Sequence, residues 1–174
     1  MQNWLIKFLK SPKNIGSIAP SSRFLARLMV QDIQKHHKVL ELGPGSGVFT
    51  KYILNKINHP QQLQLVEIDA EYAQYCQDKF PQINVHHLDL EVFLQNNEEK
   101  FDIIISGIPF ALIDLQKRQY LFQQIKEKLN KNGRFIMFQY SVLSKKELSE
   151  IFNKVEIKST LINLPPAFVF TCFK

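Results

Sequence analysis

The sequence predicts an α/β protein built on one open, mostly parallel sheet, with helices on both faces and an antiparallel hairpin strand near its C-terminus. Three observations carry this. Apolar runs of strand length alternate with helix-period segments from residue 38 to residue 153. The first run leads into Val39-Leu40-Glu41-Leu42-Gly43-Pro44-Gly45-Ser46-Gly47, an acid and three glycines just before a helix. A second run, Leu63-Gln64-Leu65-Val66, ends in Glu67.

Taken in order, residues 2–10 carry a helical stripe, with Trp4, Leu5, Phe8 and Leu9 on one arc and Asn3, Lys7 and Lys10 opposite. Ser11-Pro12 ends it, and Gly16-Ser17-Ile18-Ala19-Pro20 reads as a loop. Ser21 or Ser22 caps a second helix to about residue 35, with Phe24, Leu25, Leu28, Met29 and Ile33 as its apolar positions. Strands are expected near 38–42, 63–68, 83–88, 101–106 and 133–140. Helices are expected near 47–57, 70–79, 90–96, 115–130 and 145–153. Phe101-Asp102-Ile103-Ile104-Ile105 suits a buried central strand. Asn132-Gly133 is expected to stop the helix before the fifth strand. Two closing β-like runs, about 154–162 and 168–173, join through Leu164-Pro165-Pro166-Ala167 and must therefore be antiparallel. The chain reads as one domain, a helical arm over 1–36 packed on a core of 37–174.

Charge is concentrated at one end. Up to Lys38 there are seven basic residues and one acid, Asp32, so this arm carries the whole formal net charge of +6. Such an arm attracts polyanions, either nucleic acid or an anionic membrane surface. Cys76 and Cys172 stand far apart without histidines at metal spacing, which argues against a disulfide scaffold or zinc site and fits a reducing cytoplasm. No metal is expected. Apolar runs stay well short of the roughly 18 residues that span a bilayer. Lys7, Lys10 and Lys13 interrupt any signal-peptide core.

The glycines permit close approach of backbone to a ligand, and the helix that follows opens with free N–H groups. An acid ending the second strand can accept hydrogen bonds from the hydroxyls of a ribose. The Gly-x-Gly-x-Gly spacing, with Glu41 inside the motif, Glu67 after strand two and Asp89 after strand three, resembles the S-adenosylmethionine methyltransferases of the Rossmann-like class I fold. That resemblance implies S-adenosylmethionine as cofactor and S-adenosylhomocysteine as product. It places Glu41, Gly43, Gly45 and Gly47 along the cofactor's amino-acid part, Glu67 with neighbouring Ile68 at the ribose, and Asp89 with Leu90 at the adenine. Ser106-Gly107-Ile108-Pro109-Phe110 occupies the position where such enzymes meet both cofactor and acceptor, so Ser106, Pro109 and Phe110 are candidate catalytic residues.

Nearly end to end, the chain resembles the bacterial phospholipid N-methyltransferases that act on phosphatidylethanolamine. The resemblance is carried by Phe8-Leu9-Lys10-Ser11-Pro12, Ile15-Gly16-Ser17-Ile18-Ala19-Pro20-Ser21-Ser22, the glycine motif, Ser106–Phe110, Arg118, Tyr140-Ser141 and Asn163-Leu164-Pro165-Pro166-Ala167. It implies methyl transfer to a lipid amine, toward phosphatidylcholine. Tyr140 would orient the amine, Arg118 would hold the lipid phosphate, and Ser21 would line the substrate site. An amphipathic helix with Trp4, Leu5 and Phe8 on one face and Lys7 and Lys10 on the other can lie in a headgroup interface. The expected setting is cytoplasmic, peripheral on the inner face of the cytoplasmic membrane, as a monomer and without nucleic acid. A second reading packs residues 1–10 on the protein's own core. His86 and His87 read as structural or cofactor-rim residues. The glycine motif is shared with rRNA adenine dimethyltransferases, so an rRNA adenine N6-methyltransferase is one alternative. A non-catalytic, membrane-associated S-adenosylmethionine-binding protein is another.

Overall fold

The computed structural model describes residues 20–160 and 166–174. They form α1 (Pro20–Met29), β1 (Val39–Leu42), α2 (Val48–Leu54), β2 (Leu63–Glu67), α3 (Ala70–Lys79), β3 (Asn84–His87) and α4 (Leu90–Asn96). These are followed by β4 (Phe101–Ser106), α5 (Leu115–Glu127), β5 (Leu129–Gln139), α6 (Ser144–Ile151), β6 (Lys154–Thr160) and β7 (Ala167–Phe173). Residues 1–10, including Trp4, Leu5, Lys7, Phe8 and Lys10, lie outside the described residues.

The strands form one seven-stranded sheet in the order β3-β2-β1-β4-β5-β7-β6. β1 to β5 are parallel, and β7 runs antiparallel to both β5 and β6, giving the expected single reversed strand. β1 and β4 are neighbours, while the chain winds outward to β2 and β3 on one side and to β5 on the other. That reversal opens a crevice at the carboxyl ends of β1 and β4, where sheets of this kind receive ligands.

Each sheet face has its own core. On one, Leu40, Leu42, Ile104, Phe135, Met137 and Phe170 are buried with Phe93, Phe122, Ile125 and Leu148 from α4, α5 and α6. On the other, Val39, Leu65, Ile103, Ile105, Ile136 and Val169 are buried with Leu25, Met29, Ile53 and Cys76 from α1, α2 and α3. β1 and β2 are buried along their whole length. That explains their near-continuous apolar runs.

Boundaries depart from expectation in three places. α1 ends at Met29 instead of near 35, because Ile33 donates to Val30 O at 3.2 Å in a tightened turn that still buries Val30 and Ile33. α2 ends at Leu54 instead of near 57. α5 stops at Glu127, and Asn132-Gly133 does not terminate it but lies in a bulge within β5. There Phe101 pairs with Leu129 and Ile103 with Arg134, so β5 spends extra residues between matched positions. Asn132 takes φ 68°, and a Cβ on Gly133 would lie 2.9 Å from Asn130 O. Asp102 anchors the bulge by accepting from Asn130 Nδ2 at 2.8 Å and from the Lys38 N–H at 2.8 Å.

Gly47, at the start of α2, has φ 73°, and a Cβ there would lie 2.6 Å from the Phe80 ring. Backbone strain and ring displacement act together, so Gly47→Ala is expected to cost about 2–4 kcal/mol. Thermal unfolding should show this as a Tm roughly 4–16 °C lower.

Candidate active site

β1 delivers Glu41 and then the glycine turn, β2 delivers Glu67, and β4 delivers the Ser106–Phe110 loop. The ladder continues past the strand ends: the Gly43 N–H donates to Val66 O at 2.9 Å and the Gly107 N–H to Leu42 O at 2.9 Å. The two loops then touch backbone to backbone. A Cβ on Gly107 would lie 2.9 Å from Gly43 O, and one on Gly43 would lie 2.9 Å from Ile108 Cγ1. A Cβ on Gly45 would meet nothing within 4 Å. Thus all three glycines take positive φ, Gly43 and Gly47 are in addition crowded by neighbouring atoms, and Gly45 borders open space and leaves its backbone approachable.

Glu67 is buried and fastens this turn. Its Oε2 accepts from the Gly45 N–H at 3.0 Å and its Oε1 from the Asp69 N–H at 3.0 Å. Burial raises its pKa above the ordinary carboxylate range, and the N–H donors oppose that rise. The Cys76 thiol donates to Gly45 O at 3.3 Å, and burial pushes its pKa up to about 12, keeping it a donor. Asp89, half-buried just beyond β3, caps α4 by accepting from the Glu91 N–H at 2.8 Å. The Leu88 N–H donates to Glu67 O at 3.1 Å, tying that loop to β2. Ile68 is half-buried beside Glu67, and Leu90 is buried in the core.

Glu41 is fully buried beneath the turn. Thr50 Oγ1 donates to its Oε2 at 2.7 Å, while its Oε1 has no hydrogen-bond partner. Burial raises its pKa to about 8; the Thr50 hydrogen bond opposes this and the nearby Glu67 charge reinforces it. The folded chain therefore holds a proton that the unfolded chain releases near pH 4.5. Between roughly pH 4.5 and 8 the native state binds more protons, so stability should fall as pH rises, by up to about 1.4 kcal/mol per unit. Glu41→Gln is expected to flatten that slope, as read by denaturant unfolding at pH 5.5 and 7.5.

The acceptor side corrects several expectations. Ser106 is fully buried, and its Oγ accepts from the Ile108 N–H at 3.1 Å, so it shapes the loop. Phe110 is also fully buried, with ring centroids 4.8 Å from Phe122 and 6.1 Å from Phe135, and belongs to the core. Pro109 is half-buried at the entry to the short helical turn Phe110–Leu112. Arg118 is not a free phosphate clamp. Its Nε donates to both Glu147 oxygens at 3.0 and 2.9 Å, and its Nη1 donates to Phe110 O at 3.4 Å and Ile113 O at 3.2 Å. Tyr140, just past β5, is exposed with its ring edge-to-face on Phe138 at 5.8 Å. Partial burial raises its pKa, so at neutral pH it is a phenol that donates or accepts a hydrogen bond. Ser21 lies in the first turn of α1, its side chain outside the described set.

Sequence reasoning gave Gly107, Ile108, Thr50 and Cys76 no individual role in the site. For Gly107 a signal existed: a glycine directly after an apolar strand marks close backbone approach. The others depend on contacts between distant segments. His86 Nε2 lies 2.9 Å from Gln64 Oε1, a contact within the sheet edge. Burial lowers the His86 pKa.

A family model described as the methyltransferase small domain matches residues 15–161, most of the chain. The chain belongs to that family. It is an S-adenosylmethionine-dependent methyltransferase. Among curated proteins it is 27% identical over 181 residues to the ornithine lipid N-methyltransferase of Singulisphaera acidiphila, covering 97% of this chain and 93% of that one. It is 30% identical over 111 residues to the ribosomal RNA small subunit methyltransferase A of Flavobacterium johnsoniae, covering 60% of this chain and 41% of that one. The methyltransferase thus spans less than half the length of the RNA enzyme. The fold matches N-methyltransferase NodS from Bradyrhizobium japonicum WM9, solved with S-adenosyl-l-homocysteine, at TM-score 0.75 and 13% identity over 99% and 97% of the two chains. It also matches Burkholderia thailandensis 1,6-didemethyltoxoflavin-N1-methyltransferase at TM-score 0.78 and 14% identity over 99% and 86%.

The residues present fit the cofactor. Open space borders Gly45, the carboxyl end of β2 presents Glu67, and the buried Glu41 Oε1 lacks a partner.

Proposed function

We propose that this methyltransferase N-methylates the headgroup amine of a membrane lipid, phosphatidylethanolamine, toward phosphatidylcholine, at the inner face of the cytoplasmic membrane. The observation that carries it is the near full-length similarity to a lipid N-methyltransferase, covering 97% of this chain, whereas the match to the RNA enzyme covers 60%. The end-to-end motif resemblance to phospholipid N-methyltransferases points the same way. The name of the lipid relative supports a second headgroup, the amine of an ornithine lipid.

Bound S-adenosylmethionine supplies a methyl already activated by its sulfonium. Glu67 would accept the ribose hydroxyls, Asp89 the adenine amino group, and the backbone of Gly43–Gly47 would line the amino-acid part. The chain's own contribution is mostly positioning and exclusion of water. The lipid amine must lose a proton before attack, since an ammonium has no lone pair. Tyr140 orients it by hydrogen bond or cation–π contact, beside the backbone of Gly107–Pro109. Residues 1–10 supply an amphipathic, basic anchor on anionic lipid.

The test offers labelled S-adenosylmethionine separately with phosphatidylethanolamine vesicles, ornithine-lipid vesicles and unmodified ribosomal RNA. Label in phosphatidylethanolamine, resolved into mono-, di- and trimethylated forms, is expected. Label only in ornithine lipid would move the headgroup assignment to the second reading. Label only in RNA would reject a lipid substrate, and label nowhere despite cofactor binding would favour a non-catalytic protein.

A further inference from the structure

Resting on the lipid reading above, we propose that the loops after β4 and β5 form a bilayer-seating rim at the mouth of the crevice, separate from residues 1–10. β4 and β5 are neighbours with Ser106 paired to Met137, so both loops leave the sheet at the end that holds Gly45 and Glu67. The first loop exposes Leu112 (43%) and Leu115 (54%). The second exposes Tyr140 (53%), Val142 (46%) and Leu143 (87%). Single exposed apolar residues are ordinary, but apolar side chains gathered on two adjacent loops beside a ligand crevice mark an interaction surface.

The Arg118 guanidinium joins these loops. It donates to the Phe110 and Ile113 carbonyls of the first loop and pairs with Glu147 of α6, directly after the second. The rim is therefore held as a unit, and ordering it on a partner costs little conformational entropy.

Its charge selects the partner. Lys145 and Lys146 are exposed in the first turn of α6, after the buried Ser144 that follows Leu143. Of the acids nearby, Glu147 is neutralised by Arg118, Asp114 caps α5 by accepting from the Lys117 N–H at 2.9 Å, and the exposed Glu150 sits a turn further along α6 from the loop than Lys146. Apolar tips flanked by two lysines match the boundary between headgroups and acyl chains of an anionic bilayer. Seated there, the crevice faces the headgroups, so a lipid amine is reached while its acyl chains stay in the membrane.

The experiment uses the full chain with vesicles of phosphatidylethanolamine and phosphatidylglycerol. The sequence has a single tryptophan, Trp4, so Leu143→Trp combined with Trp4→Phe places one reporter on the rim. Its emission should shift to the blue on vesicle addition and be quenched by lipids brominated in the acyl chain. Leu143→Asp should bind vesicles about tenfold more weakly and methylate vesicle lipid about tenfold more slowly at limiting lipid. Its affinity for S-adenosylhomocysteine and its Tm should stay at wild-type values. An unquenched reporter, with Leu143→Asp binding and methylating as wild type, would overturn the rim while leaving the lipid reading intact. A wild type that methylates no lipid would remove both. A wild-type dimer dissociated by Leu143→Asp, with vesicle binding unchanged, would make the rim a contact between copies and overturn the proposal.

Discussion

Arg118→Ala is expected to destabilise the fold by about 3 kcal/mol, because it leaves the buried Glu147 carboxylate and the Ile113 carbonyl without the guanidinium that they accept from, while Phe110 O keeps only its bond from the Ile113 N–H. The pair is well shielded, with side-chain exposures of 17% for Arg118 and 10% for Glu147. Thermal unfolding should show a Tm lowered by roughly 6–12 °C. Arg118→Lys should recover little. One ammonium cannot grip both Glu147 oxygens and also reach the carbonyls of Phe110 and Ile113, as the planar guanidinium does. Glu147→Ala should be nearly as damaging, and the double variant less damaging than the sum, since each single change strands the other charge. A lipid-phosphate role makes the opposite forecast: a Tm within a degree of wild type, together with a raised KM for lipid. That result would return Arg118 to the substrate site.

This reassignment shows where sequence was legible. The alternation of strands and helices, the mostly parallel sheet and the reversed strand of the terminal hairpin follow from local patterns: apolar runs, a glycine turn and a connection too short for a crossover; the spatial order of the strands does not. The clustering of the glycine turn with the two strand-end acids was legible for the same reason. Glu41, Gly43, Gly45, Gly47 and Glu67 sit at strand ends, where topology alone brings them together. The acceptor side was not legible, because Ser106–Phe110 and Arg118 have roles set by where a side chain turns after the strand ends. Phe110 turns into a cluster with Phe122 and Phe135, and Arg118 finds an acid 29 residues away. A resemblance says that such residues recur without saying which way they point. The β5 bulge was missed for a related reason: Asn132-Gly133 has the composition of a helix stop, and only Asp102, on another strand, shows it to be a strand insertion.

Glu67→Ala is expected to weaken S-adenosylhomocysteine binding at least about 100-fold in calorimetry, since hydrogen bonds to a charged group are worth about 1.5–3 kcal/mol each. The effect exceeds a lost ribose contact, because the same carboxylate holds the turn that the cofactor meets. Its two oxygens accept from the Gly45 and Asp69 N–H groups at 3.0 Å each. Glu67→Gln should for that reason be almost as damaging as alanine: whichever way the amide turns, its NH₂ confronts one N–H donor. Glu67→Asp, one methylene shorter, cannot reach both groups without pulling Gly45 toward β2. The fold itself should suffer less than the site. Removing a carboxylate whose burial raises its pKa also removes a desolvation cost, and the open side of Gly45 lets water replace part of what is lost. The signature is therefore a large loss of affinity with a Tm only a few degrees lower. An affinity within threefold of wild type would show that Glu67 serves the turn alone, and would move ribose recognition to another group at the carboxyl end of the sheet.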